Sequence, residues 1–421
     1  MSEKIFVGTL AKQEEILSEL RGQRPKRYGY RVKMAEPDTA ARVEYIYDAV
    51  GMTPAYMDFA AGSFNYGSWK NVWFVRDNYP CMVKSSGFED YQLDPNNYTV
   101  RADDSSTNSD VSNTNYDGNA MAAIPLVWVK RWQEDGYQYV SFCETQYDEG
   151  YKAYAHTRPD GSIAAKAYHA MFKGGLVGGK LRSLKDLWPE NSTNAQQELD
   201  YAKANGSEWN IRTWSLHELI ADLLTLISKN MNAQAAFGSG CTTGYVDDAS
   251  QHYGQLKGGS LFSKGQFYGA GPADTRTQVK VFHIEGFWGE RWDRLAGLIY
   301  ENGVWKAKMT GEGGGYNLTG AGYTAVCHGV PHGGTDSFWG WQKEVKQTEF
   351  GRFPVGELTG GDQSYEADYH WVNNHITAVC LAGASCDNGW SCGPRALDAN
   401  NAAGAAGWLI GASLSLVGPS L

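Results

Sequence analysis

The feature that most limits what this chain can fold into is its final stretch, residues 376–421, which reads ITAVCLAGASCDNGWSCGPRALDANNAAGAAGWLIGASLSLVGPSL. Two apolar segments bracket it. Residues 376–381 read as one strand and residues 408–417 as another, the second alternating in part around Gly411 and Ser413. Between them lies a run of Gly, Asn, Ala and Ser with almost no apolar side chain to bury. Such a run cannot build a core of its own, so it is a loop held by the strands on either side. It is too long for an idle connection, and long irregular loops inside compact domains are usually functional.

Composition agrees. The chain of 421 residues holds 50 Gly, 15 Trp and 25 Tyr, a profile of short strands joined by turns. A formal charge of −10 argues against nucleic acid or an anionic membrane as partner, since both need a basic face. No Lys/Arg-led apolar segment opens the sequence, so no secretory signal is expected. Residues 402–421 are apolar enough to suggest an anchor, but their Gly, Ser and Pro content and lack of basic flanks favour a buried strand and no membrane insertion. Seven cysteines is an odd count, read as reduced thiols, with small core roles for Cys81, Cys143, Cys241 and Cys327. Cys386 and Cys392 are close enough to pair, to hold a soft metal or to stand as two free thiols.

Taken in order, residues 2–22 read as a polar helix with Leu10, Ile16, Leu17 and Leu20 on one side. Residues 28–34 and 41–50 flank Glu36-Pro37-Asp38 as strand, turn and second strand or helix. Residues 64–82, rich in Trp69, Trp73 and Phe74, read as a strand, and Asp94-Pro95-Asn96-Asn97 as a turn. Residues 103–119 form an exposed polar loop whose aspartates do not fit calcium-loop spacing. Asp135-Gly136 and Asn302-Gly303 mark tight hairpins. Ser215 and Glu218 read as a capping box for a helix that repeats Leu216, Leu219, Ile220, Leu223, Leu224 and Ile227 and stops at Gly238. Residues 278–285 read as a strand, and Trp288 and Trp292 as buried.

Catalytic patterns are sparse. His328 and His332 have i, i+4 spacing, but Gly329 and Pro331 make a helix between them improbable on propensity. No G-x-S-x-G elbow and no G-x-x-x-x-G-K-[ST] loop occurs. The expectation is no enzyme, no metal and no cofactor.

The words G-A-S-x-x-N-G-x-x-C-G-x-R-A-L-x-x-N-N and then W-x-I-G-A-S-L-S-L, over residues 383–416, resemble the end of the retroelement-diversified C-type-lectin-like variable proteins of phage and prophage tails. That resemblance implies an α+β, C-type-lectin-like (formylglycine-generating-enzyme-like) fold with few helices and many short strands. It divides the chain into an attachment region 1–60, a β-rich connection 61–120 and a lectin-like domain 121–421, whose segment 382–412 is hypervariable. The implied role is a tail receptor-binding protein, made in the bacterial cytoplasm and carried on the virion as a homotrimer. Its partners would be a host-cell surface protein or glycan and, through the N-terminal region, other tail proteins. The exchanged, ligand-facing positions would be Cys386, Asp387, Asn388, Ser391, Pro394, Asp398, Asn400, Ala405, Gly407 and Leu409. Trp390 cannot arise from an Asn codon by adenine changes, and joins them as the best single anchor for a partner. Gly389, Cys392, Gly393, Arg395, Leu397, Trp408, Ile410 and Gly411 would be framework. Two other readings stand beside this one. One is a structural tail or baseplate protein; the other is an oxidoreductase resembling the formylglycine-generating enzymes, for which Cys386 and Cys392 would be the thiol pair.

Overall fold

The computed structural model describes residues 24–331, 337–361 and 367–420. The helix expected within residues 2–22, and His332, lie outside them. Strand far outweighs helix among the described residues, in three main sheets.

The first sheet has four antiparallel strands in the order Val43–Tyr47, Arg27–Lys33, Tyr137–Cys143, Trp128–Glu134. The second has seven, also antiparallel, in the order Trp209–Ile211, Leu414–Val417, Lys166–Ala170, Gly118–Pro125, Tyr79–Lys84, Glu89–Asp94, Asn97–Arg101. The apolar tail thus supplies an inner strand. The third runs Thr324–His328, Val304–Ala307, Trp292–Glu301, Thr377–Gly383, Gly393–Ala399, Tyr369–Val372, Phe338–Trp341, with Ile410–Gly411 lying parallel to Trp292–Glu301. The first sheet therefore joins chain from either side of residues 61–120, and the second draws strands from residues 79 to 417.

Turn chemistry explains the hairpins. Asp135 and Gly136 have φ of 49° and 78°, and Asn302 and Gly303 have 48° and 80°, the left-handed pair that a two-residue loop requires. A third turn of this kind replaces the strand expected over 278–285. Phe282 and His283 take φ of 49° and 65° between the two-residue strands Lys280–Val281 and Ile284–Glu285. Phe disfavours that region, and His visits it more readily than most residues but is no turn former like Asn-Gly. The turn is held from inside, since His283 Nδ1 lies 2.8 Å from the buried Tyr98 hydroxyl.

The strand expected over 64–82 is also broken. Trp73–Arg76 is a helical turn, and the strand begins only at Tyr79. Trp73, Phe74 and Val75 are all buried, and three consecutive side chains cannot share one face of a strand.

The long helix, Trp214–Ser228, is buried along its whole length. Its apolar side joins the main core, but the capping box does not form. Thr213 is the N-cap and makes no side-chain cap bond, while Ser215 and Glu218 lie inside the helix. The helix stops at Lys229, in left-handed conformation, and Gly238 instead closes a second helix, Ala233–Phe237. Glu218 has a different partner. Its carboxylate accepts from Arg395 Nη1 at 3.1 Å, and one turn on Asp222 accepts from Arg395 Nη2 at 2.5 Å, Arg131 Nε at 2.7 Å and Tyr30 at 2.9 Å. Arg131 belongs to the first sheet and Arg395 to the third, so a buried ion cluster on one helix face ties the two sheets together.

Candidate ligand-binding surface

The C-terminal loops start from the middle of the third sheet. Thr377–Gly383 pairs with Trp292–Glu301 on one side and Gly393–Ala399 on the other. The nine residues between those two strands, 384–392, leave the sheet through Gly383 and Ala384, with φ of 92° and 63°. Hydrogen bonds fix this loop at almost every step. Asn388 Oδ1 accepts from the backbone and hydroxyl of Ser385, at 2.9 and 2.7 Å, closing it on itself. Gly389 N donates to Thr242 O at 2.8 Å, and Tyr245 N to Cys386 O at 3.2 Å. From below, the buried Gln234 amide donates to the carbonyls of Trp390 and Cys392. A loop so tied presents its outer side chains in one arrangement, and those are Asp387 and Trp390, the latter 47% exposed.

The second loop, residues 400–409, is held by Asp398. Its Oδ1 accepts from Asn400 N at 2.8 Å and Asn401 Nδ2 at 2.9 Å. Burial pushes the Asp398 carboxyl up to about 6, despite those bonds and nearby Arg294. Ala405 O accepts from Arg294 Nη2 at 3.0 Å, Gly407 O from Ser192 N at 2.9 Å and Trp408 O from Gln255 Nε2 at 2.8 Å.

The third contributor is residues 241–257, a Gly- and Asp-bearing connection. Arg276 anchors it by donating to Thr243 O and to Gly254 O, and Asp248 caps the turn Ala249–Gly254. Its aromatic residues complete the surface. Tyr245 stacks on Trp408 with centroids 3.9 Å apart, Tyr253 lies 5.4 Å from Trp408, and His252 stacks on the exposed Trp188 at 3.8 Å. Asp247 and Asp387 both act on the Tyr245 hydroxyl, which places these two exposed carboxylates beside the stack. The result is a band of rings from Trp188 to Trp408, edged by carboxylates and continuous with the loop that carries Trp390. Tyr245, His252 and Tyr253 went unread because no periodic pattern surrounds them; the available signal was aromatic residues in a Gly- and Asp-rich segment that has no core use for them.

Of the positions expected to face a ligand, Asp387 and Trp390 are exposed, and Asn388, Ser391, Asn400, Ala405 and Gly407 are half-buried. Four are interior, and the expectation is corrected for them. Pro394 and Asp398 sit in Gly393–Ala399, a strand buried along its whole length because it has sheet neighbours on both sides. Pro394 O also accepts from His217 Nε2, at 2.7 Å, within the helix. Leu409 packs in the main core. Cys386 is wholly buried against Tyr253 O, and burial lifts its thiol to about 12. Among the framework positions, Gly393 has a clear cause, since a Cβ there would lie 1.9 Å from Asp368 Oδ1. Cys392 and Arg395 are buried, as framework requires. All seven cysteines are free thiols.

No family model and no curated protein matches this chain. Among solved structures it is similar to one described as "Major Tropism Determinant U1 Variant", with 12% identity over 80% of this chain and 71% of that one, at a TM-score of 0.28. So low a TM-score establishes no common fold. No helix among the described residues is long and apolar enough to cross a membrane.

Proposed function

We propose that this chain is a receptor-binding protein of a phage tail, with a C-type-lectin-like scaffold that displays a diversified surface to a host-cell protein or glycan. The observation that carries the reading is the division of labour within residues 384–409. Strand-borne positions are locked into the sheet and its ion cluster, whereas Asp387, Trp390, Ser391, Asn400, Ala405 and Gly407 project from loops whose backbones are tied independently of those side chains, Asn388 being itself one of the ties. Side chains so placed are exchangeable without disturbing the core. The words of the C-terminal sequence support the same reading. Individual contacts on such a patch are modest, and display as a homotrimer on the virion, joined to other tail proteins through the N-terminal region, would supply avidity. Thiol catalysis fits poorly, because burial raises the thiols of Cys386 and Cys392 away from the thiolate form it needs.

Binding of fluorescently labelled protein to a panel of bacterial strains tests the proposal. At least one strain is expected to bind, with binding lost in Trp390→Ala and Asp387→Lys and kept in Trp339→Ala, a still more exposed tryptophan on the edge strand Phe338–Trp341. Equal binding by all variants would overturn it.

A further inference from the structure

We propose that a cavity remote from the loop surface is a second binding site, for one uncharged sugar ring. The cavity has a volume of about 320 Å³ and lies between the edge strand Trp209–Ile211 of the seven-stranded sheet and the glycine run 311–315. That volume falls in the lower part of the range for small-molecule sites, roughly 300–1,000 Å³. Its lining includes no residue of 241–257, 384–392 or 400–409.

The walls select the ligand class. Ala155, Leu216 and Leu416 are buried and form an apolar floor, extended by Val417 and the Tyr316 side chain. Hydrogen-bonding groups converge above it. Asn210 Oδ1 accepts from Ile211 N at 2.9 Å, which leaves its Nδ2 as a donor with no partner among the described residues. Thr213, whose hydroxyl caps no helix N–H, adds a group that both donates and accepts. At the mouth Lys203 and Glu208 are exposed, and Arg158 pairs with Glu208 at 3.6 Å and with Asp160 at 3.9 Å, so two cations face two carboxylates and a phosphate or carboxylate meets no net cation there. A hydrocarbon chain would strip water from Asn210 and Thr213 without replacing their hydrogen bonds. A pyranose satisfies both halves of the site, laying its C–H face on Leu416, Val417 and Tyr316 and turning its hydroxyls to Asn210, Thr213 and Glu208. The rim also includes Gly311, Gly314 and Gly315, the last two with φ of 100° and 78°. With no side chains, that segment lets a ring approach backbone directly.

Ligand-observed saturation-transfer NMR on the full chain, with the methyl glycosides of glucose, galactose, mannose and N-acetylglucosamine as probes, tests this. At least one glycoside is expected to show transfer, with affinity weakened about tenfold by Asn210→Ala or Glu208→Ala. Transfer should vanish in Ser207→Trp, which plugs the mouth, and persist in Trp390→Ala. Should Ser207→Trp not fold, Glu208→Trp blocks the same opening. No transfer from any of the four, or transfer that survives the plugged mouth, would overturn the proposal. Loss in Trp390→Ala alone would also overturn it, by placing the sugar on the loop surface.

Discussion

A carboxylate buried in a central strand, with only amides and one more distant arginine to favour its charge, gives up its proton late. Asp398 is held near 6 in this way, and Glu190, buried under the 400–409 loop with Arg291 and Glu198 acting in opposite directions, near 7. Both values lie above the ordinary range. Between about pH 4 and pH 7 these two groups keep protons in the native state that they have lost in the unfolded chain, so their share of the stability falls as pH rises, while His156 and His169, lowered by burial to about 4 and about 3, act in the opposite sense. Each should therefore contribute a downward slope to unfolding free energy, on the order of 2 kcal/mol from pH 5 to pH 7.5. Asp398→Asn and Glu190→Gln should each flatten that slope in calorimetric scans; an unchanged slope would contradict the assignment. Trp390→Ala belongs to the same scale. It should leave stability within about 0.5 kcal/mol, as for an exposed side chain, yet cost about 2 kcal/mol of binding, as for an anchor. Sequence context marked Trp390, in the loop that carries the resemblance, as exposed, and Trp288 and Trp292, beside a strand, as buried. It did not reveal Asp398, because an aspartate in a Gly/Asn-rich run reads as solvated until its strand neighbours on both sides are known.

At the scale of elements, Asn302-Gly303 and Asp135-Gly136 were legible because a left-handed turn needs those residue types. Phe282-His283 was not, since tertiary contacts impose the same turn on residues that do not ask for it. The long helix shows the same split. Its apolar repeat was plain, but Ser215-x-x-Glu218 has the spacing of a cap and the role of a buried anchor. The two roles differ in cost. Loss of a cap removes about 1 kcal/mol, whereas Glu218→Ala leaves Arg395 facing a vacant partner and should cost about 3–5 kcal/mol in urea denaturation. A loss near the smaller figure would mean that Arg395 is held well enough by Asp222 alone. The 384–392 loop depends on Gln234 in a comparable way. Gln234→Ala should destabilise by about 1–3 kcal/mol and speed hydrogen exchange at residues 385–392. Unchanged exchange there would show that backbone bonds to Thr242 and Tyr245 suffice.

Across the whole molecule, a second ion cluster ties the third sheet to the connections that flank strands Trp209–Ile211 and Leu414–Val417 of the second. Asp293 of the third sheet meets Lys173 at 2.8 Å and Arg212 at 2.6 Å, with Arg291 at 3.5 Å and the Ser413 hydroxyl at 3.0 Å. Burial alone would raise its carboxyl, but Arg212, Lys173 and Arg291 hold it well below the usual range. Charges so far apart in sequence could not be paired from sequence alone, which is why the β-rich, Gly-punctuated character was legible and the interlocking of the three sheets was not. That interlocking makes residues 384–409 separable into fixed and free positions. The most direct measurement is therefore the sequence of this locus in closely related genomes. Substitutions should concentrate at Asp387, Trp390, Ser391, Asn400, Ala405 and Gly407 and spare Cys386, Asn388, Pro394, Asp398 and Leu409. An invariant loop, or changes spread evenly over buried and exposed positions, would contradict the account.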